Sequence, residues 1–95
     1  MSAESSLSVL PESKLADAAQ QSIEIYEQVA ALYPNSAYAF SNLASAYASV
    51  GKLEKAIELQ NIAVEKSKEM VQWHQNNLQN ILDEYQKQLG TDNVQ

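Results

Sequence analysis

Few residues of this chain could carry out catalysis or hold a metal ion. The chain has 95 residues, with one histidine, His74, and with no cysteine or arginine. Protein metal sites combine several histidine, cysteine or carboxylate ligands at suitable spacing, whereas the residues around His74 are mostly amides. We therefore predict no metal site and no bound cofactor.

The carboxylates that could serve acid–base catalysis occur in pairs. These pairs are Glu54 with Glu58, Glu65 with Glu69, and Asp83 with Glu84. General acid catalysis needs a pair in a cleft, where the pKa of one carboxyl is raised, but these pairs lie beside lysines on predicted helix surfaces. A Gly-rich phosphate loop is excluded, because the two glycines, Gly51 and Gly90, lie far apart. The sequence therefore predicts a protein that is not an enzyme.

Charge and hydropathy exclude two further classes of partner. The formal net charge is −6, whereas nucleic-acid-binding proteins present a basic surface. No run of about 18 apolar residues is present, so we expect no membrane-spanning helix. No positively charged segment followed by an apolar core marks a secretory signal. We predict a cytoplasmic protein that binds neither nucleic acid nor membrane.

Helical periodicity organises the chain after a short first segment. Residues 1–12 contain several serines and no helical period, so we predict a flexible tail there. From Ser13, apolar residues recur every three or four positions as far as Pro34, which disfavours helix in the residue before it. We expect a helical domain over residues 13–90 and a frayed end over residues 91–95.

Three more apolar patterns predict three more helices. The second helix covers residues 36–49 and ends near Gly51, and a third follows it. The fourth apolar set, closed by Gly90, is Val71, His74, Leu78, Ile81, Leu82, Tyr85 and Leu89. Because no glycine or proline separates the third pattern from the fourth, one fused helix is an open alternative to two helices with a turn near residues 67–69.

Self-similarity within the chain indicates a repeat family. A shift of about 34 residues, a period found in helical repeats, aligns residues 22–25 with residues 56–59. The spacing of one such repeat is followed by Phe40, Leu43, Ala44, Tyr47, Ala56, Gln60, Ala63 and Lys68. In these residues the chain resembles the tetratricopeptide repeat family. Gln60 and Lys68 depart from its pattern, because the family places an aromatic residue and a proline there.

The resemblance implies an all-α fold of antiparallel helical hairpins, the tetratricopeptide or α-solenoid type, with about four helices. The first helix would be the second half of an earlier repeat, because Ser22, Tyr26, Val29 and Pro34 match its positions. One and a half repeats would then be followed by a capping helix over residues 70–89.

The same resemblance implies a protein–protein interaction module that binds a peptide or helix of a partner on its concave face. The predicted concave-face residues are Tyr38, Ser41, Asn42, Ser45 and Ser49. Since no cation is among them, a clamp for a carboxylate would lack its charge-assisted hydrogen bonds.

Two alternatives stay open. Because one and a half repeats form a small core, the chain is also a candidate for a self-associating structural protein, a homodimer joined through its last helix. The predicted residues of that self-interface are Trp73, Leu78, Ile81 and Tyr85. Residues 33–37, followed by Leu43, Ala46 and Tyr47, also resemble repeats that some bacterial hydrolases carry at their C-terminal ends, which would make the chain an appended module of a larger enzyme.

Overall fold

The structure is a computed structural model that describes the backbone of residues 12–94 and the side chains of residues 17–90. Its elements are α1 (Glu12–Leu32), α2 (Ala37–Ser49), α3 (Leu53–Lys66), a 3₁₀ turn (Ser67–Glu69) and α4 (Gln72–Val94). Within this part of the chain there is no strand. Each helix packs against the next one along the chain. The prediction of an all-α fold of antiparallel helical hairpins is confirmed.

The hairpin of α2 and α3 begins and ends at residues suited to those positions. The side chain of Ser36 accepts a hydrogen bond from the Ala39 N–H at 3.2 Å, which satisfies a free donor at the start of α2. After α2, Gly51 has a φ of +84°, a left-handed conformation that glycine adopts without steric cost. The chain therefore reverses direction at Gly51, as predicted.

The break between α3 and α4 contains neither glycine nor proline. The Ser67 hydroxyl donates to the Val64 carbonyl at 2.7 Å, and the Met70 N–H donates to the Ser67 carbonyl at 2.8 Å. Met70 is extended, with a ψ of 166°, so helical geometry stops there. The predicted turn near residues 67–69 is confirmed, and the alternative of one fused helix is wrong.

The last helix is longer than predicted. α4 continues past Gly90 to Val94, so the prediction that Gly90 ends this helix is wrong. A glycine inside a helix costs only about 0.5–1 kcal/mol relative to alanine, which is too little to end a long helix by itself. The division of the chain into a tail over residues 1–12 and a frayed end over residues 91–95 stays a prediction, and residues 1–11 and 95 lie outside the described residues.

Small side chains allow close approach of the helices in the core. Ala44, Ala56 and Ala63 are fully buried. One cluster joins α1, α2 and the first part of α3, and a second joins α2, α3 and α4. Phe40 packs against both clusters and connects them.

One polar side chain lies inside this core. Gln60 is fully buried, and its Nε2 donates to the Leu78 carbonyl of α4 at 2.9 Å. Its Oε1 is buried and has no hydrogen-bond partner among the described residues. The amide therefore joins α3 to α4 at the position where the family carries an aromatic side chain, and its oxygen is left without a hydrogen bond.

Candidate binding groove

The candidate site lies between α2 and α4, which are the first helices of successive hairpins. The Tyr38 hydroxyl of α2 lies 2.7 Å from His74 Nδ1 of α4. The two rings meet edge to face, with centroids 5.4 Å apart and planes at 82°. Asn77 Nδ2 also donates to the Tyr38 hydroxyl oxygen at 3.4 Å. Tyr38 therefore fixes the spacing of the two helices at one end of the groove.

The other end of the groove is held by Tyr85 of α4. Tyr85 packs against the first core cluster, and its phenol lies near the side chain of Ser45 of α2. Burial raises the pKa of the Tyr85 phenol, and the nearby Ser45 hydroxyl partly opposes that shift. A phenol with a raised pKa stays neutral, so this contact adds no charge to the groove at physiological pH.

We define the inner groove by the residues that join or flank these two contacts. They are Tyr38, Asn42 and Ser45 of α2 and His74, Asn77, Ile81 and Tyr85 of α4. None of them is aspartate, glutamate, lysine or arginine. The surface offers amide, hydroxyl, imidazole and aromatic groups, which suit hydrogen bonding and stacking rather than ion pairing.

The structure brings together only part of the predicted concave face. Asn42 and Ser45 are exposed, and Tyr38 is half-buried beside them. Ser41 is buried in the hairpin and cannot contact a partner without a change in packing. Ser49 is exposed at the end of α2, and its hydroxyl already donates to the Ala46 carbonyl at 2.7 Å.

The four residues predicted for the self-interface do not form one surface. Leu78 is fully buried in the second core cluster, so it is not accessible to a second copy in this fold. Ile81 and Tyr85 are half-buried and belong to the inner groove. Trp73 alone is widely exposed, and its ring meets the edge of His74 at a centroid distance of 4.7 Å.

Sequence reasoning did not assign His74 and Asn77 to the binding surface. The available signal was the repeat period, because Tyr38 and His74 are 36 residues apart, close to the family period of about 34 residues. Positions one period apart lie on neighbouring first helices. His74 was instead considered as a metal ligand, and no group of three or more His, Asp or Glu side chains among the described residues could hold a metal ion.

The charged side chains lie elsewhere and pair locally. Lys55 contacts Glu58 at 3.1 Å and Lys68 contacts Glu65 at 3.2 Å, both on exposed surface. Exposed pairs of this kind contribute little to stability, roughly 0–1 kcal/mol. In the part of the chain that the structure describes, no helix is both long enough and apolar enough to cross a membrane.

Comparison with known proteins agrees with the repeat pattern. Residues 25–58 match the family model described as tetratricopeptide repeat. No curated protein and no solved structure matched the chain. The matched segment covers the end of α1, all of α2 and the first part of α3, and it stops before the divergent Gln60. The segment that joins α1, α2 and α3 is therefore similar to a tetratricopeptide repeat.

Proposed function

We propose that this protein is a non-catalytic interaction module that binds a short peptide segment of a partner protein in the inner groove. Tetratricopeptide repeats are typical of protein–protein interaction modules, which gives the broad class. The observation that carries the finer proposal is the open, uncharged surface between α2 and α4, where Asn42 and Ser45 are exposed beside the Tyr38–His74 contact.

The chemistry of the groove favours a peptide in an extended conformation. The side-chain amides of Asn42 and Asn77 each provide donors and an acceptor, and these can pair with peptide N–H and C=O groups. In a helical ligand those backbone groups are already paired within the helix. The rings of Tyr38 and Tyr85 provide flat apolar surface for side chains of the peptide. The partner segment is therefore expected to be neutral.

A peptide selection with matched variants tests this proposal. A random peptide library displayed on phage would be selected against the wild-type protein, and the affinities of recovered peptides would be measured by fluorescence anisotropy. The same affinities would be measured for Ser45→Arg, which fills the groove, and for Asn61→Arg. Asn61 is an exposed residue of α3, so it controls for the added charge.

The two variants give distinct outcomes. We expect recovered peptides to lose about tenfold or more in affinity for Ser45→Arg, a loss of about 1.4 kcal/mol, and to bind Asn61→Arg as they bind the wild type. Because the groove carries no charge, affinity should change little with salt concentration. Peptides that bind all three proteins equally, or that bind only at low salt, would place the binding surface elsewhere.

No observation in the structure favours the alternative of a module appended to a bacterial hydrolase. That alternative rests on the sequence of residues 33–37 with Leu43, Ala46 and Tyr47. A different surface supports self-association.

A further inference from the structure

The first helix has two apolar sides, and only one of them is covered by this chain. Ile23 and Ala30 face the first core cluster and are buried. Ile25 and Leu32, each two residues further on, are 58% and 73% exposed. Two residues correspond to a rotation of about 200° around an α-helix. Ile25 and Leu32 therefore point away from the core, on nearly the opposite side of α1.

The exposed side of α1 has the spacing of a helix-pairing surface. Ser22, Ile25, Val29 and Leu32 alternate steps of three and four residues, which is the spacing of a seam that packs against one other helix. Val29 lies at the edge of this side, because it is half-buried and also packs against the first core cluster. Tyr26 and Tyr33, both exposed, border the seam. We call these six residues the α1 stripe. A helix with this pattern on its open side is incompletely packed until another helix covers it.

We propose that the α1 stripe binds the α1 stripe of a second copy of this chain, with the two helices antiparallel. The result is a dimer with two-fold symmetry. This surface is separate from the inner groove, so the proposal does not depend on the peptide-binding function.

The aliphatic side chains before α1 are too close to its start to reach the far end of the stripe. Its large aliphatic residues are Leu7, Val9 and Leu10. Leu7 is five residues before Glu12, so an extended chain carries it at most about 17 Å from the start of α1. Val29 and Leu32 lie about 25 Å and about 30 Å along the helix from that point. These two residues are therefore beyond the reach of that aliphatic group.

Charge favours a second copy in spite of the acidic character of the protein. The net charge is −6, so most surfaces of two copies repel each other. None of the six stripe residues is charged, and the α1 carboxylates Asp17, Glu24 and Glu27 lie on the other sides of the helix. A stripe-to-stripe contact therefore excludes water from apolar side chains without bringing like charges into direct contact.

Side-chain size favours an antiparallel arrangement. In an antiparallel seam, a residue at the first core position of a heptad packs opposite a residue at the second core position of the other helix. Ser22 therefore lies opposite Leu32 of the second copy, and Ile25 lies opposite Val29 of the second copy. The smallest side chain of the seam thus meets one of the largest, and the four layers fill evenly. A parallel arrangement would place Leu32 against Leu32 and leave space between the two serines.

A chain of copies joined head to tail is disfavoured by the outer side of α4. The exposed residues there are Gln72, Asn76, Gln79, Asn80, Asp83 and Gln86. Two pairs of them are already hydrogen-bonded, Gln72 to Asn76 at 2.9 Å and Gln79 to Asp83 at 3.0 Å. Burying this polar side under the α1 stripe of another copy would remove water from amides and a carboxylate. A closed dimer is the remaining symmetric assembly.

Sedimentation equilibrium across a concentration series tests the assembly. The stripe is about 16 Å long from Ser22 to Tyr33, which is small for a stable interface, so we expect a dimer with a micromolar Kd. Leu32→Glu should weaken the dimer about tenfold or more. Trp73→Ala, on the last helix, should leave the Kd unchanged, although Trp73 is 68% exposed.

Two outcomes would overturn the proposal. One is a monomer at all concentrations up to the millimolar range, which would mean that the stripe is covered by a helix from elsewhere. The other is a dimer that is lost in Trp73→Ala and kept in Leu32→Glu, which would assign the contact to the last helix. Far-UV circular dichroism of each variant shows that a lost dimer does not reflect a lost fold.

Cysteine cross-linking tests the orientation, since the chain contains no cysteine of its own. Ser22→Cys and Leu32→Cys would be prepared as separate proteins and oxidised alone or as an equimolar mixture. The antiparallel register predicts a mixed disulfide between the two variants and little homodimeric disulfide in either one. If each variant formed a homodimeric disulfide efficiently and the mixture formed no mixed disulfide, the two helices would be parallel. That result would refute the proposed register.

Discussion

The buried amide of Gln60 allows a sharp test of how the core is stabilised. Its Nε2 bonds the Leu78 carbonyl at 2.9 Å, while its buried Oε1 has no partner among the described residues. A buried acceptor without a partner costs about 1–3 kcal/mol, and one typical hydrogen bond contributes about 0.5–1.5 kcal/mol. The cost exceeds the contribution, so the amide is expected to be a net destabilising feature.

Gln60→Leu should therefore stabilise the protein. Leucine has nearly the same size as glutamine, fills the same space and removes the unpaired acceptor. Leu78 lies inside α4, so its carbonyl keeps the bond of the helix itself when the glutamine donor is removed. We expect a gain of about 1–2 kcal/mol in the free energy of unfolding. For a domain of this size the midpoint of thermal unfolding would then rise by roughly 5–15 °C.

Gln60→Ala separates the effect of the amide from the effect of volume. It removes the same unpaired acceptor but leaves a cavity, which costs about 2–5 kcal/mol for comparable side chains. We therefore expect it to be less stable than the wild type, opposite in sign to Gln60→Leu. Urea unfolding followed by circular dichroism measures both. If both variants were destabilised, the bond to Leu78 would contribute more than the unpaired oxygen costs, and the reasoning would be refuted.

Other predictions concern the turns, the cap and a tyrosine at the surface. Gly51→Ala should destabilise the protein by about 1–2 kcal/mol, because the φ of +84° at Gly51 is unfavourable for a residue with a side chain. Gly90→Ala should stabilise it by about 0.5–1 kcal/mol, because Gly90 lies in a helix and no atom lies within 4 Å of the added Cβ. Thermal unfolding of the two variants distinguishes the opposite signs. Ser36→Ala should cost about 1 kcal/mol through loss of the α2 cap, and equal urea midpoints would contradict this. The hydrogen bond to Glu27, followed by burial and the carboxylate charge, raises the pKa of Tyr47. That stabilising contribution is present below about pH 10 and is lost as the pH rises through the raised pKa of the folded state, so the wild type should lose more stability than Tyr47→Phe in alkaline urea titrations.

The order of the helices could be predicted because, in most of the chain, proline and glycine occur where the helical periodicity of apolar residues stops. Pro34 and Gly51 each bound a helix where the sequence indicated. Gly90 was misleading, since a single glycine weakens a helix without ending it. The turn near Ser67 was predicted from the repeat period alone, because neither glycine nor proline lies between the two helices. Helical geometry stops at the extended Met70, a residue type that gives no turn signal in the sequence.

The site was less predictable than the fold for a different physical reason. Periodicity assigns a residue to a side of its own helix, but the groove depends on how two helices separated by a third are placed. Asn42 and Ser45 are exposed, and their role in binding a partner stays a prediction. Ser41 and Leu78 are each only one residue from a groove position, and a rotation of about 100° per residue is enough to move them into the core.

The first helix shows why a match to a repeat pattern leaves function open. Its buried residues Ile23 and Ala30 pack on the following hairpin, whereas Ser22 and Tyr26, which match the repeat pattern, lie on the exposed side. In a longer array that exposed side would pack on a preceding helix. In this chain that side displays Ile25, Leu32 and Tyr33 to solvent. Exposed aliphatic residues at helix-pairing spacing are costly in water, whereas the outer side of α4 is polar and needs no cover. The two ends of the stack are thus unequal: α4 resembles a terminus, and α1 resembles a surface that is completed by assembly. If a second copy covers the α1 stripe, the dimer has two inner grooves related by symmetry. A partner with two binding segments would then bind both grooves and gain affinity without any new contact.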